Sequence, residues 1–198
     1  MEPMLRPLLL DDIPRIQSIE QLCFPADTRE DSSVYRRRIE TFPEGNLGFL
    51  VADELAGFFC SELWNATQQL DPEQFRLSHD IANHHRSDGD LLYISSFAVD
   101  PQYRSILRGR KAFALAMDHL QTALSFRTAI LLVAESWHPA RRIYQQWGFT
   151  ERMYLPAYFG ESDGIIMQTA SGRYPTQRVS HRNRNHTFHC MFRLHISP

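Results

Sequence analysis

The sequence predicts one mixed α/β domain, a sheet with helices on both faces, followed by a short basic extension. Three observations lead there. The chain has 198 residues, 43% hydrophobic and 22% charged, which is the size and composition of one globular domain with a sizeable core. Two neighbouring apolar runs in the first third read as a strand hairpin. From residue 90 onward, strand and helix patterns alternate, and a hairpin followed by such alternation favours a mixed sheet.

The elements follow in order. Residues 5–10, "LRPLLL", form a first strand, after which Asp11 or Asp12 can cap a helix with Ile13, Ile16, Ile19 and Leu22 at helical spacing. Pro25 stops that helix. A second, "SSVYRRRIETF", starts on Ser32 or Ser33 and ends before Pro43. "NLGFLVADELAGFFCSELW" reads as strands Leu47–Ala52 and Leu55–Trp64, with Asp53 and Glu54 as the reversal. The polar stretch "NATQQLDPEQFRLSHDIANHHRSDGD" holds His79, His84 and His85 and is long for a loop, so it is expected to be locally helical or a substrate lid. Then come a strand at 90–99, a helix at about 109–125, a strand at 128–134, a helix at about 138–147, and strands near 150–155 and 164–169.

Charge and cysteine usage exclude several classes. A formal net charge of −2 argues against a general nucleic-acid coat protein, which needs a clear cationic excess. The odd number of cysteines, Cys23, Cys60 and Cys190, lacks metal-like spacing and reads as core thiols. The start "MEPMLRPLLLDDIPRI" is too short in apolar residues and too acidic for a signal peptide, and no apolar run approaches a membrane span, so the cytoplasm is the expected compartment. Composition changes near residue 170: residues 171–198 carry five arginines, four histidines and no acid, which divides the chain into a domain at 1–170 and a basic, flexible tail at 171–198.

The chemistry concentrates in "YISSFAVDPQYRSILRGRKAFALAMDHL", residues 93–120, where a strand feeds a helix through a cationic loop. A helix start presents unpaired N–H groups and the positive end of the helix dipole, a setting that stabilises phosphate. Gly109 permits close backbone approach, and Arg104, Arg108, Arg110 and Lys111 add charge. "VDP" ends strand pairing at a residue without an N–H, leaving peptide groups for a ligand.

These residues resemble the acyl-CoA loop of the GNAT superfamily of N-acyltransferases, V-x-P-x-Y-R-x-x-G-x-G/A followed by a helix. Val99, Pro101, Tyr103, Arg104 and Gly109 match, while Leu107 stands at the first glycine position and Ser105 at a common third. About 35 residues downstream, "LLVAESWHPARRIYQQWGF" resembles the family's A-x-x-x-Y-x-x-x-G-F signature through Ala140, Tyr144, Gly148 and Phe149. The resemblance spans residues 4–169 and implies a mostly antiparallel, twisted sheet splayed at an acyl-CoA site. Within the superfamily the chain is most similar to the arylalkylamine (serotonin-type) N-acetyltransferases, with Tyr93 and Ser95 where that subfamily usually has two histidines.

The resemblance implies an acetyl-CoA-dependent N-acetyltransferase acting on a primary amine, an arylalkylamine, a polyamine or a peptide N-terminus, by direct attack in a ternary complex. The alternative is a GNAT-fold protein that binds or senses acyl-CoA with weak or no turnover. Acetyl-CoA is the implied co-substrate, and no metal is implied. Backbone groups of Phe97, Ala98 and Val99 would hold the pantetheine arm, and Arg104, Ser105, Ile106, Leu107, Arg108, Gly109 and Arg110 the pyrophosphate. Tyr144 takes the place of the family's acid. For the base, Glu62, Tyr93, Ser95 and the lid histidines His79, His84 and His85 are open, with Tyr93 and Ser95 as lining positions. Trp64, Phe75, Tyr154, Tyr158 and Phe159 make an aromatic amine pocket conceivable. A homodimer is left open, and no nucleic-acid or membrane partner is expected.

Overall fold

A computed structural model describes residues 2–66 and 70–170, so the basic tail at 171–198 lies outside the described residues. The elements run β1 (Met4–Pro7), α1 (Ile13–Cys23), α2 (Ser32–Thr41), β2 (Asn46–Val51), β3 (Glu54–Trp64), α3 (Ile81–His84), β4 (Leu91–Val99), α4 (Gly109–Ala123), β5 (Thr128–Ala134), α5 (His138–Trp147), β6 (Phe149–Phe159) and β7 (Ser162–Thr169). They form one seven-stranded sheet in the order β1-β2-β3-β4-β5-β7-β6. β4 and β5 pair in parallel and every other neighbouring pair is antiparallel.

The helices cover both faces, each through its apolar stripe. Ile13, Ile16 and Ile19 of α1 and Tyr35 and Ile39 of α2 pack on Phe58, Cys60 and Ala98. On the opposite face Ala112, Phe113, Ala116, Met117 and Leu120 of α4, with Tyr144 and Trp147 of α5, pack on Phe59, Leu92, Leu131 and Phe149. Phe113 is the hub, with rings of Phe59, Phe97, Tyr144, Trp147 and Phe149 within 5.2–6.1 Å of its centroid.

Several boundaries differ from the sequence expectation, for local reasons. β1 ends at Pro7 because the Asp12 carboxylate accepts the Leu9 N–H at 2.7 Å and Arg6 Nη2 at 2.8 Å, bending the chain into α1. The cap of α2 is Asp31, whose carboxylate accepts the Ser33 N–H at 2.8 Å, in place of Ser32 or Ser33. The β2–β3 reversal is Ala52 and Asp53, with φ of 53° and 65°, and Glu54 already belongs to the strand. Two consecutive left-handed residues match the twist of a hairpin. The polar segment is partly helical, as α3 and one turn of 3-10 helix at Pro72–Phe75.

One irregularity opens the sheet. The β4–β5 pairing runs from Leu91↔Thr128 to Ile94↔Leu131 and stops, while β5 continues to pair with β7 through Ala134. At the same level Cys60 pairs with Ser96 and Ser61 with Ile94, so Ser95 is an extra residue on β4. Such a bulge bends the bulged strand, here at the point where β4 leaves β5.

Candidate active site

The parting of β4 and β5 forms a cleft of about 570 Å³. Its walls are Ser95–Val99 of β4, Leu131–Val133 of β5, Trp137, Ala140, Ile143 and Tyr144 at the start and middle of α5, and Glu20, Cys23 and Phe24 at the end of α1. Glu30, Phe75, Leu77, Tyr93, Arg104, Tyr158 and Phe159 also line it.

The β4 edge offers alternating peptide groups. The Asp100 N–H donates to the Ala56 carbonyl at 2.9 Å, so the peptide groups of Ala98 and Ser96, two and four residues earlier, also point to β3. Those of Phe97 and Val99 therefore face the opening. Ala98, grouped with them in the sequence reading, is turned away. The Val99 carbonyl is already met from the cleft side, by Arg104 Nε at 3.1 Å and Cys23 Sγ at 3.5 Å.

Of the cationic loop, three N–H groups are consumed internally: Arg104 bonds Pro101 O at 3.3 Å, and Ile106 and Leu107 bond Tyr103 O at 2.9 and 2.8 Å. Leu107 has a negative φ and a fully buried side chain, so it anchors the loop in the core. Ser105 is exposed at the apex. The anion-binding capacity lies one turn later. The first intrahelical bond of α4 is Ala112 N–H to Arg108 O at 2.9 Å, which leaves the N–H groups of Gly109, Arg110 and Lys111 without a partner among the described residues. Arg108, Arg110 and Lys111 have exposed side chains that join no ion pair among the described residues. A Cβ on Gly109 would stand 3.0 Å from Ile143 Cδ1, so glycine lets the start of α4 press against α5.

Tyr144 projects from α5 with its ring against Phe113 and Phe149, and its hydroxyl has no hydrogen-bond partner among the described residues. Burial pushes its phenol above the usual tyrosine range. Across the opening, Tyr93 and Ser95 line the cleft, and the Ser95 hydroxyl donates to Cys60 O at 3.3 Å.

Glu62 does not line the cleft. Its Oε1 meets His79 Nε2 in a pair with almost no solvent contact, and Oε2 is buried without a partner. His79 Nδ1 lies 3.1 Å from Arg76 O, so the ring bridges the Glu62 carboxylate and a backbone carbonyl. His85 accepts the Leu63 N–H at 3.2 Å through Nδ1, and His84 packs on Trp64 and His79. The aromatic group divides: Phe75, Tyr158 and Phe159 line the cleft, Trp64 stacks behind Tyr93 at 4.2 Å, and Tyr154 bonds Glu135 and Asp163 at the surface.

The carboxylate on the cleft wall is Glu20, which the sequence reading missed. It is buried, accepts the Tyr35 hydroxyl on Oε1 and the Glu30 N–H on Oε2 at 3.2 Å, and has no basic partner. Burial raises its pKa; the hydrogen bond from Tyr35 offsets part of that effect. A signal was present: Glu20 follows Ile16 by four residues, so it stands on the apolar stripe of α1, where an acid needs a reason. Glu30 beside it is paired with Arg38.

The sheet thus parts beside one parallel strand pair, with a helix start and the α5 tyrosine at the parting. Residues 13–149 match the acetyltransferase (GNAT) family, and the chain belongs to that family. Among solved structures, it superimposes on the loading GNATL domain of CurA from Lyngbya majuscula with a TM-score of 0.71 at 14% identity, covering 85% of this chain and 98% of that one. The GphF GNAT-like decarboxylase in complex with isobutyryl-CoA gives 0.69 at 17% identity, covering 84% and 98%. The ribosomal-protein-S18-alanine N-acetyltransferase from Escherichia coli gives 0.62 at 20% identity, covering 88% and 97%. At these identities the likeness is one of fold. No curated protein sequence matches the chain. Among the described residues, no helix is long and apolar enough to cross a membrane, and no cluster of three or more metal-ligating side chains occurs.

Proposed function

We propose that this protein transfers an acetyl group from acetyl-CoA to a primary amine, an arylalkylamine, a polyamine or a peptide N-terminus, by direct attack with both substrates bound. The observation that carries the reading is the pairing of two groups across the parted sheet: an unpartnered Tyr144 hydroxyl on the α5 side and the Glu20 carboxylate on the α1 side.

The open-side peptide groups of Phe97 and Val99 fit the amides of a pantetheine arm. The free N–H groups at Gly109, Arg110 and Lys111, with the charges of Arg108, Arg110 and Lys111, fit its pyrophosphate. Acetyl-CoA supplies the activated thioester; the protein supplies placement, which by itself accounts for much of such a rate. Glu20 takes the proton of the incoming ammonium, directly or through a water, and Tyr93 and Ser95 line that path. Tyr144 keeps its proton through neutral pH because burial raises its pKa, and donates it to the departing thiolate. Glu62, closed off by His79, is left out of this chemistry.

Decarboxylation, the activity of the GphF GNAT-like decarboxylase, fits this cleft poorly. A carboxylated acyl group would meet the buried Glu20 carboxylate, which joins no ion pair among the described residues. The second reading, coenzyme binding with weak or no turnover, rests on the altered loop, with Leu107 and Ser105 at positions where the family motif has glycine. Incubation with acetyl-CoA and an amine panel, following free thiol release, decides between them. Tight coenzyme binding with no thiol release on any amine would establish the sensing role and exclude the enzyme.

A further inference from the structure

The segment between β3 and β4 returns to the cleft at one tight turn. The His79 N–H donates to the Arg76 carbonyl at 3.2 Å, and between them Ser78 is held at φ 62°, in the left-handed region. A serine stays there only when its surroundings over-determine it. Two anchors do so. The Ser78 N–H donates to Glu30 Oε1 at 3.2 Å, and the His79 ring is clamped between the Glu62 carboxylate and the Arg76 carbonyl. These anchors are buried carboxylates on separate parts of the chain, one just before α2 and one in β3.

What the anchored turn presents is Leu77. Its side chain lines the cleft, and the residue is 38% exposed. Leu77 belongs to none of the core clusters, so its exposed surface is open to a group seated in the cleft. The neighbouring walls say what that group is. Phe24, Phe75 and Tyr158 line the same cleft, and Glu30 links the turn to Glu20: its N–H donates to Glu20 Oε2 at 3.2 Å and its Oε1 accepts the N–H of Ser78, the residue after Leu77, at 3.2 Å.

We infer that the Arg76–His79 turn is the acceptor-selecting element of the cleft, fixing Leu77 as an apolar wall beside the ammonium received by Glu20, and so selecting primary amines with a bulky apolar substituent. Polyamines and small polar amines lack the group that would cover Leu77. This inference rests on the acyl-transfer reading. An arylalkylamine and a peptide with a large apolar first residue share the required chemistry, and the test separates them. Leu77 is the contact residue, while Ser78, Glu30, His79 and Glu62 are positioning residues.

The test uses conjugates in which the coenzyme A sulfur is joined through an acetyl bridge to phenethylamine, to the N-terminus of a methionyl peptide, to ethanolamine or to spermidine. Calorimetry gives their affinities without requiring turnover. The phenethylamine or the methionyl conjugate should bind at least about 10-fold more tightly than the other two, the scale of discrimination available to an apolar pocket. Whichever of the two is tighter identifies the source. Leu77→Ala, a truncation at a partly exposed residue that leaves the fold in place, should reduce this preference about 10-fold. Ser78→Pro can neither adopt the left-handed φ nor donate to Glu30, and should reduce the preference likewise, whereas Ser78→Gly keeps both features and the preference. A merely structural role for the turn would lower all four affinities together. Equal affinities in the unmodified protein, or a preference retained in Leu77→Ala, would overturn the inference while leaving acyl transfer standing. Coenzyme A that fails to bind alone would overturn both.

Discussion

The Glu30 carboxylate and the Arg38 guanidinium meet in a two-point hydrogen bond inside the protein, with Arg38 Nη2 2.8 Å from Glu30 Oε1 and both side chains at most 5% exposed. Breaking such a pair from one side strands a buried charge. Arg38→Ala should cost about 3–5 kcal/mol, and replacing both partners by methionine should cost clearly less than the sum of the single changes. Urea unfolding of the two single variants and the double variant measures this.

Tyr144→Phe removes the proposed acid and keeps the ring that packs on Phe113 and Phe149. Turnover should fall at least about 100-fold, with coenzyme A affinity by calorimetry unchanged. A variant with full turnover would remove Tyr144 from the chemistry.

Glu20 ties activity and stability to pH in opposite directions. Its carboxyl, raised by burial, holds a proton to higher pH in the folded protein than in the unfolded chain, where glutamate titrates near about 4.3. Between that value and the raised one, the folded state binds more protons, so this contribution to stability is present in acid and lost as pH rises. Turnover through a base requires the ionised form, so kcat/KM should climb with pH on a limb above the ordinary carboxylate range. Glu20→Gln should flatten the stability slope in that window and abolish the kinetic limb. Denaturant midpoints and pH profiles of both proteins check the two halves separately.

Leu107, at a position where the family motif has glycine, is fully buried with its N–H bonded to Tyr103. Leu107→Ala should therefore destabilise the protein by about 2–5 kcal/mol, and Leu107→Gly should gain no coenzyme affinity. Thermal unfolding with parallel titrations of coenzyme A tests both statements.

What could be read from the sequence was whatever leaves a periodic or chemical mark. The α4 stripe of Ala112, Phe113, Ala116, Met117 and Leu120 is a plain 3.6-residue pattern, and it packs as that pattern requires. β6 carries little alternation because most of its residues are exposed, so its full length, Phe149–Phe159, is set by pairing with β7 and extends beyond the expected 150–155. The Ala52–Asp53 reversal contains no glycine to announce two left-handed residues. The site divided in the same way. Tyr144 and the edge of β4 followed from a motif, whereas Glu20 left only its place on the apolar stripe of α1, and its bonds to Tyr35 and Glu30, like the Ser78–Glu30 bond that holds the Leu77 turn, are tertiary contacts that no local pattern encodes.

The short parallel joint between β4 and β5 has a mechanical meaning. β1 to β4 form one antiparallel leaf and β5, β7 and β6 another; four residue pairs bind the leaves along a spine, with α4 as the covalent strap between them. A molecule built this way has a joint of four residue pairs beside an opening that both leaves line. Anything seated in that opening spans the joint and rivets leaf to leaf, and its binding energy adds directly to the work of separating them. Occupancy of the cleft and cooperativity of unfolding thus become one property, readable by calorimetry or by the exchange of the amides along the spine.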